Sequence, residues 1–295
     1  MATGNSSTQG KTLRLRLRRG FRFLRQDLPS ITLLKPRNLG IAGHILAMHQ
    51  SGSHWLNNML AACMIEEFKL PELEHIRDRS IVNGTRHTPV HTGIPRIVQS
   101  HEIPSPLVHM RPMQWLLPFP RYVFLVRDIR SALVSGYEKK KRIQSVEMPF
   151  SEYLRNDRLI GNEVSRDLWY RMRQLNGWNR DIGRLPADRV LVVRYEDIQR
   201  NTSGELRRVW TFLDLPDRGP EFFDAAVQST TKERMATKER PGQASKIVRQ
   251  SNRHAFEWFS AEDREYFTST VDVWLNDTFG YDYHDWTIPA ECAAA

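Results

Sequence analysis

Hydrophobic runs of strand length alternate along this chain with amphipathic runs of helix length, and this alternation constrains the fold most strongly. The strand-like runs cover residues 41–48, 96–100, 121–126 and 189–194. The helical patterns cover residues 54–68, 131–142, 150–156, 165–182, 205–213 and 261–275. Strands that are separated by helices pair in parallel through right-handed crossovers. The sequence therefore predicts an α/β fold, a three-layer sandwich with a central parallel sheet, in which residues 70–94 and 236–253 form loops.

The length of 295 residues, 40% of them hydrophobic, fits one domain, which we expect over residues 29–290. Residues 1–28 are predicted to form a flexible basic arm, and residues 291–295 a tail. Leu and Arg alternate over residues 13–18, which excludes the apolar stretch of a signal peptide. The alternative for the arm is a helix on an anionic membrane surface, with Phe21 adding apolar bulk. No apolar run reaches the roughly 20 residues of a spanning helix, so we expect a cytoplasmic protein with at most a peripheral membrane contact.

The charge of the chain indicates the kind of partner, and its cysteine content indicates the redox compartment. The chain has 43 Lys and Arg against 34 Asp and Glu, a net charge of +9 that favours an anionic partner. Nucleic acid is the least favoured such partner, because the basic residues are scattered and no nucleic-acid-binding motif appears. The two cysteines, Cys63 and Cys292, cannot build a disulfide framework or a cysteine zinc site, which indicates a reducing compartment.

A short polar turn links the first strand-like run to a helical pattern. It contains Ser51, Gly52 and Ser53. The N–H groups and the dipole at a helix N-terminus favour phosphate, and a glycine lets a ligand approach the backbone closely. A plain helix cap explains the same residues, and the spacing and lysine of a Walker A loop are absent.

The third strand-like run ends at Arg127, and Ser135 lies about two turns into the helix that follows. An arginine at a strand end and a hydroxyl on the adjoining helix can bind a second phosphate between them. Ligands of parallel α/β sheets lie outside these strand ends. The alternative is an ion pair of Arg127 with Asp128 or Glu138.

Together these segments resemble the sulfotransferases that use 3′-phosphoadenosine 5′-phosphosulfate (PAPS). The P-K-S-G-T-T-W loop of that family is similar to residues 49–55, which read His-Gln-Ser-Gly-Ser-His-Trp. Its R-x-P-R-D-x-x-x-S-x-Y segment is similar to residues 127–137, with Ile129 for the proline and Ser131 for the aspartate. The family's Y-E-D, R-x-G and K-T-H segments are similar to Tyr195-Glu196-Asp197, Arg240-Pro241-Gly242 and Gln99-Ser100-His101.

The resemblance implies the P-loop NTPase-like sulfotransferase fold and a role for each matching residue. The 5′-phosphosulfate of PAPS would be cradled by Gln50, Ser51, Gly52, Ser53 and His54. The adenine would lie between Trp55 and Tyr195, and the 3′-phosphate would be held by Arg127, Ser135, Arg240 and Gly242. His101 would be the general base, and Gln50 and His54 would act with it at the reacting group. A neutral imidazole with an ordinary pKa near 6.5 suits the base role; the alternative for His101 is a surface histidine paired with Glu102.

Two departures from the family pattern bear on activity. Gln50 and Gln99 stand where the family has lysines, and a glutamine donates only a neutral hydrogen bond. The missing charge could come from His54 or His49, or from another cation such as Lys139 or Lys246. If neither supplies it, the chain is a protein of the same fold that binds PAPS or its product, 3′-phosphoadenosine 5′-phosphate (PAP), with weak or no transfer activity.

The resemblance implies a hydroxylated acceptor, which could be a small molecule, a lipid or a glycan. Specificity in such folds is set by variable loops, here expected at residues 70–94, 102–119, 144–164 and 236–253. No metal is required for the transfer.

Overall fold

The structure is a computed structural model that describes residues 40–85, 87–104, 112, 119–144, 148–155, 167–239 and 253–288. The strands are β1 (Ile41–Ala47), β2 (Val82–Gly84), β3 (Arg96–Ser100), β4 (Arg121–Val126) and β5 (Val190–Arg194). The helices are α1 (Ser53–Phe68), α2 (Ile129–Gln144), α3 (Phe150–Arg155), α4 (Leu168–Ile182), α5 (Tyr195–Arg200), α6 (Thr202–Phe212), α7 (Pro220–Ser229), α8 (Lys232–Thr237) and α9 (Ala261–Trp274). Short 3₁₀ turns cover Ala187–Arg189 and Ala255–Trp258.

The five strands form one sheet in the order β2-β3-β1-β4-β5. Every neighbouring pair is parallel. Leu46 of β1 is level with Ser100 of β3 and with Phe124 of β4. The carboxyl ends of the central strands therefore lie side by side at one edge of the sheet.

Each face of the sheet is covered by helices, because successive side chains of a strand point to opposite faces. Leu46 and Phe124 belong to a buried cluster with residues of α2, α3, α4 and α9. Ile45 and Val123 belong to a second cluster with residues of α1, α6 and α7. The strands β1, β3 and β4 are buried on both faces, as the strands of parallel sheets generally are. The predicted three-layer α/β sandwich is confirmed.

Side-chain caps fix where several helices begin. Asp167 accepts a hydrogen bond from the Tyr170 N–H at the start of α4, and Asn201 accepts one from the Gly204 N–H at the start of α6. Ser260 and Asp263 form a capping box at the start of α9.

The four predicted strands and six predicted helices are present. The prediction missed β2, which lies inside the expected loop of residues 70–94, and the helices α5, α7 and α8. The helix α8 reaches Thr237, two residues into the loop expected over residues 236–253. The proposed arm and tail lie outside the described residues. None of the helices described is both long enough and apolar enough to cross a membrane.

Candidate active site

The residues singled out from the sequence lie at the carboxyl edge of the sheet. The loop of residues 48–52 follows β1, His101 follows β3, Arg127 follows β4 and Tyr195 follows β5. Because β1 lies between β3 and β4, the loop after β1 is flanked by His101 on one side and by Arg127 on the other. This edge is where parallel α/β sheets bind their ligands.

The loop after β1 has an unusual backbone. Gln50 has a φ of 67° and Gly52 a φ of 78°, both in the left-handed region that non-glycine residues rarely adopt. The Ser51 N–H and Oγ–H both donate to the Met48 carbonyl, at 3.2 and 2.6 Å. Ser51 thus holds the shape of the loop, and its hydroxyl proton is used there. The N-cap of α1 is Gly52, which has no side chain to cover the first N–H groups of the helix.

Close packing also explains the glycine at position 52. A Cβ added to Gly52 would lie 2.5 Å from Cε2 of Tyr195, well inside van der Waals contact. The rings of Trp55 and Tyr195 meet edge to face, with centroids 6.2 Å apart. The two aromatic residues expected to flank an adenine are therefore neighbours at the start of α1.

Arg127 connects β4 to this loop. Its Nη1 donates to the Gln50 carbonyl at 2.8 Å, and its Cζ lies 4.3 Å from the centre of the Tyr195 ring. Asp128 pairs instead with Arg130, at 2.7 Å. Within the described ranges no carboxylate pairs with Arg127, and its buried Nε has no hydrogen-bond partner. A buried guanidinium N–H without a partner is unfavourable, and an oxyanion would satisfy it.

His101 lies at the end of β3 with its ring held from two sides. Its Nδ1 is 2.6 Å from the Ala47 carbonyl, and its ring centroid is 3.8 Å from that of His49. A carbonyl only accepts hydrogen bonds, so Nδ1 carries the proton and the lone pair of the neutral imidazole is on Nε2. The ring packs against His49 and is half-buried, so His101 is not the surface histidine of the sequence-based alternative.

Helix α4 supports the backbone around His101. Gln174 Nε2 donates to the His101 carbonyl at 2.8 Å, and Trp178 Nε1 donates to the Glu102 carbonyl at 3.0 Å. Both side chains are buried. The position of His101 is therefore fixed by side chains of a helix as well as by β3.

The two glutamines that replace the family lysines have different surroundings. The Gln99 amide is buried, donates to the Ser100 carbonyl at 2.9 Å and accepts from Asn57 Nδ2 at 3.5 Å. Gln50 lies beside α2, where a Cβ added to Gly136 would be 3.8 Å from Gln50 Cγ. Ser135, the hydroxyl expected at the 3′-phosphate, directly precedes Gly136 and is half-buried.

His54 has an uncharged imidazole at neutral pH. Burial, followed by the positive charges of Arg79, Lys139 and Arg77, lowers the pKa of His54 from 6.5 to about 3. His101 also lowers the pKa of His54, which puts the two histidines within electrostatic reach of each other. Positive charge around the His54 imidazole therefore comes from Arg77, Arg79 and Lys139, and not from His54 itself.

Arg171 is a part of the site that the sequence analysis did not find. It is fully buried on α4, and its guanidinium donates to the His49 carbonyl and, at 3.0 Å, to the Ala132 carbonyl. It thereby joins the loop after β1 to α2 and α4. Arg77 and Arg79 were also missed, because a loop sequence gives no signal of what it packs against.

The structure thus brings together all the expected site residues that it describes. Arg240, Gly242 and Lys246 lie outside the described residues. In the part of the chain that the structure covers, no three His, Cys, Asp or Glu side chains are placed to hold a metal ion.

Comparison with known proteins decides the family. The family model of the sulfotransferase domain matches residues 44–287. The chain belongs to this family. The match contains the second half of β1 and the loop after it, as well as His101, Arg127 and Tyr195, so the whole candidate site lies within the domain.

Curated relatives include mouse sulfotransferase 2A2, which is 26% identical over 203 residues, 65% of this chain and 65% of that protein. The 3-alpha-hydroxysteroid sulfotransferase of Cavia porcellus is 25% identical over 199 residues, 65% of this chain and 61% of its own length. The matched region spans less than two thirds of either relative.

Solved structures of similar fold include retinol dehydratase in complex with androsterone and the inactive cofactor PAP. The TM-score is 0.59 at 15% identity, with 88% of each chain covered. Mouse sulfotransferase SULT7A1 complexed with PAP has a TM-score of 0.55 at 13% identity, covering 80% of this chain and 85% of that one. These structures confirm the predicted sulfotransferase fold.

Proposed function

We propose that this chain is an enzyme that moves the sulfuryl group of PAPS to a hydroxyl acceptor, with His101 as the general base. The observation that carries the proposal is the hydrogen bond between His101 and the end of β1. The His101 Nδ1–H donates to the carbonyl of Ala47, the residue that ends β1, and this leaves Nε2 as the basic nitrogen beside the loop after β1.

The residues at the strand ends fit the nucleotide. The uncapped N-terminus of α1 suits the 5′-phosphosulfate, with Ser51 holding the loop in shape and Gly52 bringing the backbone close. The unpartnered Nε of Arg127 and the hydroxyl of Ser135 suit the 3′-phosphate. The PAP complexes among the structural neighbours support the same choice of ligand.

When bound, PAPS supplies the sulfuryl group, which the acceptor oxygen takes as the bond to the 5′-phosphate breaks and PAP is left. The protein positions the groups and takes the proton. His101 Nε2 accepts the hydroxyl proton as the acceptor attacks, and the Ala47 carbonyl stabilises the imidazolium that forms. The N–H groups at the start of α1 donate to the phosphate oxygens.

The acceptor is proposed to be a small hydroxylated molecule. The names of the relatives support this choice, since one is a hydroxysteroid sulfotransferase and one structural neighbour holds androsterone. Of the loops expected to set acceptor specificity, residues 70–94 are described except residue 86, whereas most of residues 102–119, 144–164 and 236–253 lies outside the described residues.

Transfer of labelled sulfate from PAPS to a mixture of small alcohols and phenols, with products read by mass spectrometry, tests the proposal. His101→Ala is expected to lower kcat about a hundredfold or more while PAP affinity stays unchanged. His87→Ala, at an exposed loop position, is the matched control. Wild-type turnover in His101→Ala would contradict the base assignment.

A second candidate function is nucleotide binding without transfer. It is favoured by Gln99, whose amide is already used by Ser100 and Asn57 and brings no charge to the site. Stabilisation by PAP together with no transfer to any acceptor would select this function.

A further inference from the structure

A basic loop segment lies against the first turns of α1. The Asn58 amide holds it there, donating to the Ile76 carbonyl at 3.1 Å and to the His54 carbonyl at 2.7 Å. Arg77 and Arg79 follow Ile76 directly and are half-buried. Both therefore lie close to His54, at the end of the site where His101 is found.

A third cation approaches from α2. Lys139 is half-buried and lies one helical turn after Ser135, on the same face of the helix. The charges of Lys139 and of both arginines act on His54 in the same direction. Three positive charges on two separate elements thus converge beside one neutral imidazole.

Nothing in the described part of the chain neutralises Arg79. It forms no ion pair there, and burial and the charge of Arg77 lower its pKa. Asp78, between the two arginines, instead accepts hydrogen bonds from the N–H groups of Glu74 and Ser80, at 3.3 and 2.8 Å. A half-buried guanidinium that has no carboxylate partner is unfavourable, and an anion bound at Arg79 would offset that cost.

We propose that Arg77, Arg79 and Lys139 form an oxyanion subsite beside His54, at the transfer end of the nucleotide site. Its place in the reaction rests on the proposed function. The oxyanion belongs either to the phosphosulfate of the donor, where the cations replace the charge that Gln50 and Gln99 lack, or to an acidic group on the acceptor.

Thermal-shift titrations with sodium sulfate, against sodium chloride at equal ionic strength, test the subsite without any turnover. Sulfate is expected to stabilise the wild type and to bind at least tenfold more weakly to Arg79→Gln, with recovery in Arg79→Lys. Arg207→Gln is the matched control, since it removes the same charge from an exposed position on α6. Melting without sulfate shows whether each variant folds.

The same variants identify the source of the oxyanion. A tenfold loss of PAP affinity in Arg79→Gln assigns the subsite to the donor. The subsite is assigned to the acceptor if two results are found together. The PAP affinity of Arg79→Gln is unchanged, and sulfate stabilises the PAP-saturated wild type but not PAP-saturated Arg79→Gln. Equal sulfate and PAP affinities in Arg79→Gln and Arg207→Gln overturn the proposal. If the wild type binds sulfate through Arg79 but does not bind PAP, the nucleotide function fails and the subsite stands.

Discussion

The imidazole rings of His49 and His101 lie face to face, with centroids 3.8 Å apart and planes inclined by 32°. His49 is buried, and its backbone carbonyl accepts a hydrogen bond from Arg171. Two protonated imidazoles at this distance would repel each other strongly, so we expect a proton on one ring to oppose a proton on the other. The contact with His49 also fixes the orientation of the His101 ring.

The first prediction concerns this pair. His49→Phe keeps a flat ring against His101 but removes the second proton site, so the acidic limb of kcat/KM is expected to move to higher pH. His49→Ala removes the ring contact and is expected to lower kcat about ten- to a hundredfold. Both are measured as pH–rate profiles with the acceptor found in the transfer screen. Identical profiles in the wild type and in His49→Phe would exclude coupling between the two rings.

The second prediction separates backbone strain from close packing at Gly52. Gly52→Ala is expected to abolish PAP binding, because its Cβ would lie 2.5 Å from Tyr195 in a left-handed backbone. Gly93→Ala is a matched control, with a φ of 84° and no atom within 4 Å of an added Cβ. It is expected to cost about 1 kcal/mol of stability with no change in PAP affinity, measured by calorimetry. Full PAP binding by Gly52→Ala would show that the loop does not need this glycine.

The third prediction concerns Arg171. Arg171→Met is expected to lower the free energy of unfolding by about 2–4 kcal/mol, because the His49 and Ala132 carbonyls lose a charged donor in the protein interior. Urea unfolding measures the loss. Arg200→Met, which breaks an exposed ion pair with Asp197, is the control and is expected to change stability by less than about 1 kcal/mol. Equal effects of the two substitutions would contradict the role given to Arg171.

The fourth prediction is a pH dependence of stability from His44. Burial lowers the pKa of His44 from 6.5 to about 3, and its Nε2 is 2.9 Å from Ser100 Oγ. Below pH 6.5 His44 is protonated in the unfolded chain, whereas in the folded chain it stays neutral down to about pH 3. The free energy of unfolding therefore falls as the pH is lowered from 6.5 to about 3. The contribution of one such group approaches about 1.4 kcal/mol per pH unit.

His44→Asn tests this by urea unfolding at pH 7 and pH 5. The variant is expected to lose less stability than the wild type between the two values, whereas His87→Asn, at an exposed position, is expected to follow the wild type. A loss in His44→Asn as large as that of the wild type would mean that His44 is not responsible.

The layered fold could be predicted because its signals are local. The runs at β1 and β4 are long, apolar and bounded by polar turns, so length and pattern alone identify them. The strand β2 has only three residues and lies among turns. Three residues are too few to show the alternation of apolar and polar side chains that identifies a strand. The helix α5 follows β5 without a break, so its start has no loop signal.

The candidate site could be predicted where residues lie at a strand end or repeat a motif of the family. Arg127 was found at a strand end, and His101 was found through the family motif. Arg171 was not, because its partners lie 122 and 39 residues away along the chain and only packing brings them together. The cations beside His54 were missed for the same reason, apart from Lys139. The sequence shows that position 50 has no lysine, but it does not show which charged side chains from distant parts of the chain lie near that position.

The central claim is that one nucleotide lies across the ends of β1 and β4, with its second phosphate against Arg127 and Ser135. Calorimetry with PAP and with adenosine 5′-monophosphate, which lacks the 3′-phosphate, tests it most directly. The wild type is expected to bind PAP at least tenfold more tightly than the monophosphate, and Arg127→Gln and Ser135→Ala are each expected to reduce that preference. Equal affinity of the wild type for the two nucleotides, or a preference that survives both substitutions, would contradict the account.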